Sequence, residues 1–273
     1  MTVGAARWMV DGVEGAALPP LDRGLAYGDG LFETVAWIGG RPRRWARHIE
    51  RLAAGCRRLG LPPPDGARLL AEARALAPAA GDAVVKILLT RGDGARGYVP
   101  SGGVRRIVGV HPWPEPPAFA EGVALVVCET PAAVTPALAG LKHLGRLEHV
   151  LAAGEVAARG AWEGLMRDPD GWVVSGTRTN LFLVRGGALW TPELSRSGVW
   201  GILRAEVLER ARGLGIAVRR ARIGLEAVRA ADEIFLTNAL VEILPVTRFE
   251  DRRLEPGPVT RRLAAAVRKG AAP

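Results

Sequence analysis

The chain has 273 residues, of which 48% are hydrophobic and 5% aromatic, and its formal net charge is +9 at pH 7. This length suffices for a large core divided between two domains. The sequence contains no apolar run of about 18 residues, which argues against a membrane span. The N-terminus lacks the apolar core of a signal peptide, so a cytoplasmic protein is expected.

The positive charge is spread along the chain and interleaved with acidic residues, as in ERLAAGCRR and VLERARG. No basic arm, RNP motif, helix-turn-helix signature or zinc-ligand set accompanies it, so nucleic-acid binding is only a remote alternative. A positive field suits a small anionic substrate equally well. Cys56 and Cys128 are too far apart for a disulfide scaffold or a metal knuckle, and we expect two buried thiols and no metal site.

The N-terminal part predicts strands and turns around the glycine-rich block DRGLAYGDGLFET at Asp22–Thr34. Apolar residues at intervals of three and four then predict a helix over about 43–59 that Pro62–Pro64 terminate. His48 and Arg51 share an edge of this helix, where solvent exposure is the ordinary expectation. Further predicted elements are a helix at 66–76, a strand at 83–90 with Lys86 pointing outward, a loop at 91–98 that either binds an anion or makes a hairpin, and a strand at 105–110.

The segment HPWPEPPAFAEG is the clearest boundary in the chain, because its prolines stiffen it and prevent regular structure. We therefore predict a small N-terminal α/β domain at 1–112, a Pro-rich linker at 113–122 and a larger C-terminal domain at 123–273.

The C-terminal part predicts a mixture of strands and helices. A predicted helix begins at Gly201-Ile202-Leu203-Arg204. Its unpaired N–H groups and the positive end of its dipole together make a candidate phosphate-binding site. The other predicted elements are strands at 123–128, 164–167, 172–174, 180–184, 188–190, 216–222 and 233–237, and helices ending near 160, at 225–230 and at 259–269.

Lysine is rare in this chain. Of 37 basic residues only three are lysines, namely Lys86, Lys142 and Lys269. Arginine stays charged at any working pH, whereas a buried lysine can lose its proton and attack a carbonyl. Lys142, within LKHLGRLEHVL, is therefore a candidate for Schiff-base formation, with an ordinary surface lysine as the alternative.

Six segments in order resemble one known family. They are the DRG and GDGLFET block, the HIERL helix, the Lys142 segment, the SGTRTNLF strand, the GILR helix start and the LTNALVEILPV strand. The chain resembles the fold-type IV (class-IV) pyridoxal-phosphate enzymes, which include branched-chain and D-amino-acid aminotransferases and aminodeoxychorismate lyase. The resemblance implies a two-domain fold whose larger domain has a pseudo-barrel sheet, and a homodimer.

The resemblance also implies roles for individual residues. Lys142 would bond to the aldehyde of pyridoxal 5'-phosphate and act as catalytic base, and Thr34 would face the reacting carbon. Arg51 and the backbone N–H groups of Ile202 and Leu203 would bind the cofactor phosphate. Asn238 and Ala239 would contact the cofactor from the opposite strand, and Ser175 would face its pyridine nitrogen. Arg96 and Tyr98 would bind the carboxylates of the substrate.

Ser175 stands where most family members carry a glutamate. A carboxylate keeps the pyridine nitrogen protonated and makes the ring a strong electron sink, which a serine does less well. This substitution hurts transamination more than an elimination whose product becomes aromatic. Together with LKHLGRLEHVL, TRGDGARGY and Asn238–Leu240, it favours the lyase branch, which forms 4-aminobenzoate and pyruvate from 4-amino-4-deoxychorismate. A class-IV aminotransferase acting on D-amino or branched-chain amino acids is the alternative.

Overall fold

A computed structural model describes residues 6–270 of the chain. The chain forms two compact units. The first runs to Glu115 and also contains Lys142–Gly145, and the second consists of Pro116–Leu141 and the residues from Arg146 onward. The proposed division into 1–112, 113–122 and 123–273 assigns Lys142 to the second half, whereas the structure places the Lys142–Gly145 segment within the first unit.

The first unit is built on a six-stranded antiparallel sheet with the strand order β2-β1-β6-β5-β3-β4. Its elements in chain order are β1 (Arg7–Val10), β2 (Val13–Glu14), α1 (Arg23–Tyr27), β3 (Gly30–Ile38), β4 (Arg41–Pro42), α2 (Trp45–Leu59), α3 (Gly66–Leu76), β5 (Ala83–Thr90) and β6 (Arg105–Pro112).

The two faces of this sheet differ in burial because successive strand residues point to opposite sides. On β3, Leu31 and Val35 are buried on the face that packs against α2, where a Cβ on Gly55 would come within 2.7 Å of Leu31. Phe32 and Thr34, on the opposite face, remain partly exposed. One face of the sheet is therefore core, and the other is accessible.

The Lys142–Gly145 segment pairs with the edge of β3. The N–H of Phe32 donates to the carbonyl of Lys142 at 2.9 Å, and the N–H of Leu144 donates to the carbonyl of Gly30 at 3.0 Å. These bonds continue the sheet beyond β3 and fix the backbone of Lys142 beside Phe32.

The second unit contains a nine-stranded mixed sheet whose main path is β12-β11-β10-β13-β14-β7-β8-β9, with β15 paired to β14. Its elements in chain order are β7 (Val123–Val127), α4 (Leu147–Ala158), β8 (Glu163–Arg167), β9 (Val173–Gly176), β10 (Asn180–Arg185), β11 (Ala188–Pro192), α5 (Ile202–Gly213), β12 (Val218–Ala221), α6 (Leu225–Arg229), β13 (Glu233–Asn238), β14 (Glu242–Phe249), β15 (Arg252–Arg253) and α7 (Pro258–Gly270).

Both faces of this larger sheet are buried, so its central strands are almost continuously apolar. On β10, Leu181 and Leu183 join one core with residues of β7, β8, β14 and α6. Phe182, on the other face, stacks on Phe235 of β13 with a centroid distance of 4.9 Å, in the core that includes α5 and α7. The sheet thus holds α5 in place through the Phe182–Phe235 face.

Most predicted elements are confirmed, including the helix at 66–76 and the strand at 83–90. Helix α2 ends at Leu59, as predicted, and Gly60 caps it in the left-handed conformation (φ 63°) that glycine favours, ahead of Pro62–Pro64. LTNALVEILPV is two strands rather than one. The side-chain oxygen of Asn238 accepts from the N–H groups of Leu240 and Val241, which turns the chain between β13 and β14.

Helix α1, in the glycine-rich block, was not predicted. Its first residue follows Asp22, whose buried carboxylate accepts from the N–H groups of Gly24 and Leu25, from Thr90 Oγ1 and from Arg105. This N-cap offsets the cost of a helix of only five residues.

Cys56 and Cys128 are buried free thiols, as predicted, and burial raises the pKa of each to about 11. Within residues 6–270, no helix has both the length and the apolar character that crossing a membrane requires.

Candidate active site

Lys142 is half-buried, with its Nζ 4.0 Å from the centroid of the Phe32 ring. The hydrogen bonds to β3 fix the backbone of Lys142, and β3 itself carries the Phe32 ring. The amino group lies over the electron-rich face of the ring, which attracts a cation.

A second of the three lysines lies over the same ring. Lys86 Nζ is 5.0 Å from the centroid of Phe32, and Lys86 is the direct cross-strand partner of Thr34. Lys86 is half-buried on the less covered face, consistent with its predicted outward orientation. The structure therefore gathers Lys142, Phe32, Thr34 and Lys86 on one face of the first unit's sheet.

Arg51 is part of a buried charge cluster. Its Nε and Nη2 donate to the two carboxylate oxygens of Glu33 at 2.7 and 2.5 Å, and the Nδ1 of His48 lies 2.6 Å from Glu33 Oε2. Glu33 and His48 are each 1% exposed, against 16% for the Arg51 side chain. The expectation of solvent exposure for His48 and Arg51 is therefore wrong, because the buried carboxylate of Glu33 draws both side chains inward.

The charges in this cluster are fixed by its geometry. Burial raises the pKa of Glu33, but the charge and hydrogen bonds of Arg51, aided by His48, outweigh it and lower that pKa to about 2. Burial lowers the pKa of His48 against the pull of Glu33, and the cations of Arg51 and Lys142 lower it further. A neutral His48 beside an acceptor-only carboxylate must carry its hydrogen on Nδ1 and donate it to Glu33.

The two predicted carboxylate-binding residues lie elsewhere in the first unit. Arg96 and Tyr98 are on the loop between β5 and β6, and both side chains are exposed, Tyr98 by 86%. The loop joins the antiparallel strands β5 and β6 as a hairpin, and it exposes both side chains, with the Tyr98 ring against Tyr27.

In the second unit, Ser175 is buried on β9, and its hydroxyl donates to the carbonyl of Gly176 at 2.8 Å. With its hydrogen used inside the chain, the oxygen of Ser175 is left as an acceptor. A serine in this state can accept a further hydrogen bond but adds no negative charge.

The turn after Ser175 is organised by Glu163, which is fully buried. Its carboxylate accepts from the N–H of Thr177 at 2.9 Å, from Thr177 Oγ1 at 2.5 Å and from Thr179 Oγ1 at 2.9 Å. A buried carboxylate is stable when several donors satisfy it in this way. Glu163 therefore fixes the short connection between Ser175 and Asn180.

Ile202 and Leu203 form the first turn of α5, which follows Gly201 and has no side-chain N-cap. Asn180 braces the approach, because its Nδ2 donates to the carbonyl of Val199 at 3.0 Å. A Cβ on Gly201 would lie 2.0 Å from Asn180 Oδ1, so only glycine fits there. An uncapped helix start held by a neighbouring strand is the arrangement that binds phosphate groups.

One polar atom near this helix start has no partner. Thr237 is the direct cross-strand partner of Asn180, on the same face of the sheet. Its Oγ1 is buried and makes no hydrogen bond within residues 6–270. Asn238 and Ala239 follow it, with the Asn238 side chain committed to the β13–β14 turn. The orphan hydroxyl of Thr237 is therefore a donor that lacks an acceptor beside the uncapped start of α5.

Sequence reasoning missed Glu33, Glu163 and Thr237. A signal for Glu33 was present in the sequence, because Leu31, Glu33 and Val35 are alternate residues and therefore point to the same, buried face of the strand. No comparable pattern marks Glu163 or Thr237, whose partners come from distant parts of the chain. Within residues 6–270, no group of His, Cys, Asp and Glu is placed to hold a metal ion.

A family model described as amino-transferase class IV matches residues 30–249. The chain belongs to this family. Its fold is the fold-type IV architecture, as the sequence predicted, and members of the family use pyridoxal phosphate.

Similar proteins include both activities considered above. The chain is 35% identical to the aminodeoxychorismate lyase of Vibrio harveyi over 242 residues, which cover 87% of this chain and 89% of the relative. It is 30% identical to a putative branched-chain-amino-acid aminotransferase of Methanocaldococcus jannaschii over 91% of this chain and 89% of the relative. The crystal structure of 4-amino-4-deoxychorismate lyase from Pseudomonas aeruginosa superimposes with a TM-score of 0.89 at 45% identity, covering 96% of this chain and 98% of that one.

Proposed function

We propose that this protein is a pyridoxal-phosphate-dependent 4-amino-4-deoxychorismate lyase, which eliminates pyruvate from its substrate and releases 4-aminobenzoate for folate synthesis. The observation that carries the proposal is the 45% identity to the Pseudomonas aeruginosa lyase over 96% of the chain. The half-buried Lys142 over Phe32 supplies the reactive amine that this chemistry needs.

Each unit has a feature that suits the cofactor. In the first unit, Lys142 would bond to the cofactor aldehyde, and Arg51 carries a charge that suits its phosphate. In the second unit, the uncapped start of α5 with the orphan hydroxyl of Thr237 suits a phosphate, and Ser175 offers an acceptor to a ring nitrogen. Backbone near Asn238 and Ala239 completes the assignment. When bound, the cofactor supplies a ring that stabilises negative charge on the carbon bearing the substrate's amino group.

Lys142 is the proton carrier of the proposed reaction. Its neutral Nζ takes the proton from the carbon that bears the amino group. The ether C–O bond then breaks, the ring becomes aromatic, and the departing enolpyruvate gains a proton at its methylene carbon to become pyruvate. Lys142 or a water molecule held by Thr34 returns that proton, because both groups occupy the accessible face of the sheet.

Ser175 favours elimination over transamination. It provides an acceptor without a charge, so the ring nitrogen is less firmly protonated than beside a carboxylate. Elimination tolerates this loss because the aromatic product supplies driving force. Arg96 and Tyr98 are assigned to the carboxylates of the dianionic substrate.

The test is product identification with purified protein. Incubation with 4-amino-4-deoxychorismate should yield equal amounts of 4-aminobenzoate and pyruvate, measured by chromatography. A parallel panel of 2-oxo acids with amino donors, including D-amino and branched-chain ones, should show no comparable amino transfer. Amino transfer without 4-aminobenzoate would replace the lyase with the aminotransferase, the alternative that the 30% identity to a putative branched-chain aminotransferase keeps in view.

We also propose that the protein acts as a homodimer in the cytoplasm. Supporting the dimer, the first unit exposes apolar side chains at Leu21 (69%), Leu25 (65%) and Val99 (81%), which a second copy of the chain would cover. Light scattering after size-exclusion chromatography should give twice the 29.0 kDa mass of the chain. A mass of one chain at micromolar concentration would contradict the dimer.

A further inference from the structure

The loop that carries Arg96 and Tyr98 has no regular secondary structure, yet a single buried side chain ties it down. Arg23, in α1, is only 3% exposed. Its Nη1 donates to the carbonyls of Gly97 at 2.8 Å and Ala95 at 3.4 Å, and its Nη2 donates to the carbonyl of Tyr98 at 3.3 Å. One guanidinium therefore binds the backbone on both sides of Arg96.

The position of Arg23 is itself fixed. Its Nε donates to Asp29 Oδ2 at 3.0 Å, and the same oxygen accepts from Arg91 at the base of the loop at 2.8 Å. A Cβ on Gly94 would lie 2.7 Å from Arg23 Cδ, so the loop packs directly on the arginine stem. The planar guanidinium of Arg23 has enough donors to bind three carbonyls and Asp29 at once, whereas the compact ammonium of a lysine does not.

Tyr27, at the other end of α1, adds a second tie. Its hydroxyl accepts from the N–H of Gly97 at 3.2 Å, and its ring packs edge-on against Tyr98 with a centroid distance of 5.5 Å. The guanidinium of Arg23 lies 4.8 Å from the Tyr27 ring centroid. Helix α1 thus holds the loop through both its backbone and the Tyr98 ring.

We propose that Arg23 is a positioning residue that presents Arg96 and Tyr98 to the carboxylates of the substrate. The inference rests on the proposed function, which supplies the anionic substrate. A loop held before binding loses less conformational freedom when the substrate arrives, so binding is tighter. An untethered loop raises KM while the chemical step at Lys142 proceeds at nearly its original rate.

The test compares Arg23→Gln and Arg23→Lys with Arg7→Gln in the holoenzyme. Arg7 is the control for loss of an arginine in the same unit, because its half-exposed side chain donates to a carboxylate (Glu14) and a carbonyl (Leu76) and not to the loop. The Arg23 variants should raise KM for aminodeoxychorismate about tenfold and change kcat by less than about twofold, as expected when hydrogen bonds that preorganise a site are lost. Trypsin cleavage after the exposed Arg96 should also accelerate about tenfold, whereas Arg7→Gln should match wild type in both measurements.

The outcomes separate this inference from the proposed function. Wild type that makes no 4-aminobenzoate overturns the function, while the trypsin comparison still reports on the tether. The inference is overturned if folded Arg23 variants show wild-type cleavage and wild-type KM. It is also overturned if cleavage is faster but KM is unchanged, or if kcat falls by the same factor as kcat/KM. Should Arg23→Gln not fold, Tyr27→Phe removes only the acceptor of Gly97, and the same shifts in smaller size are then required.

Discussion

The cluster around Glu33 and the start of α5 differ in whether their buried polar groups have hydrogen-bond partners within the described residues. At Glu33, a buried carboxylate is matched by Arg51 and His48 within the chain. At the start of α5, the helix has no side-chain cap, and the hydroxyl of Thr237 has no partner within the described residues. The Glu33 carboxylate is therefore paired before any ligand arrives, whereas the Thr237 hydroxyl gains a partner only when a ligand binds.

This difference separates stability from binding. Removing a partner from the Glu33 cluster leaves an uncompensated buried charge and should weaken the folded chain itself. Removing the Thr237 hydroxyl takes away an unsatisfied group, so it should weaken binding without weakening the fold. The following variants test the comparison, beginning with the one expected to have the largest effect.

Lys142→Ala should lower turnover by about a thousandfold or more, because the proton carrier is lost. The variant should also lose the visible absorbance of the covalently held cofactor. Lys269→Ala, which removes an exposed lysine, is the control and should behave as wild type. Turnover and colour that survive in Lys142→Ala would remove the proposed role of this residue.

Glu33→Gln should lower the free energy of unfolding of the cofactor-free protein by about 3 kcal/mol, the size expected when one partner of a buried ion pair is removed. Urea denaturation measures this value. Glu14→Gln breaks the exposed pair with Arg7 and should change stability little. Equal effects of the two substitutions would show that the Glu33 cluster is not a buried charge network.

The stability contributed by Glu33 should depend on pH in one direction. The folded-state pKa of Glu33 is about 2, below its ordinary value of 4.5, so the unfolded chain takes up the proton first as pH falls. The contribution is therefore fully present above pH 4.5 and is lost as the pH approaches 2. Denaturation of wild type and Glu33→Gln across this range should show their difference shrinking on acidification, and a difference that grows would contradict the assignment.

Thr237→Val should weaken cofactor affinity about tenfold, the effect of losing one hydrogen bond to a charged group. The cofactor-free variant should be as stable as wild type or more stable by about 1 kcal/mol. Thr260→Val is the control, since that hydroxyl donates to Glu233 at 2.6 Å, and its loss should lower stability and leave affinity unchanged. Unchanged affinity in Thr237→Val would mean that its hydroxyl binds only water.

Sequence reasoning succeeded where the signal is local. The apolar periodicity of α2 and the apolar run of β5 were readable along the chain, and both elements are confirmed. It failed where distant residues decide the outcome. The Glu33 carboxylate pulled His48 and Arg51 into the interior, and the Asp22 cap created α1 through contacts with Thr90 and Arg105. The Asn238 turn was missed because its apolar flanks resemble a continuous strand.

The covalent assignment can be tested in one measurement, because the chain contains only three lysines. Borohydride reduction of the purified protein, followed by peptide mass spectrometry, should place a single phosphopyridoxyl adduct on the peptide that contains Lys142. An adduct on the Lys86 or Lys269 peptide, or no adduct on any of them, would contradict the central claim that Lys142 holds the cofactor.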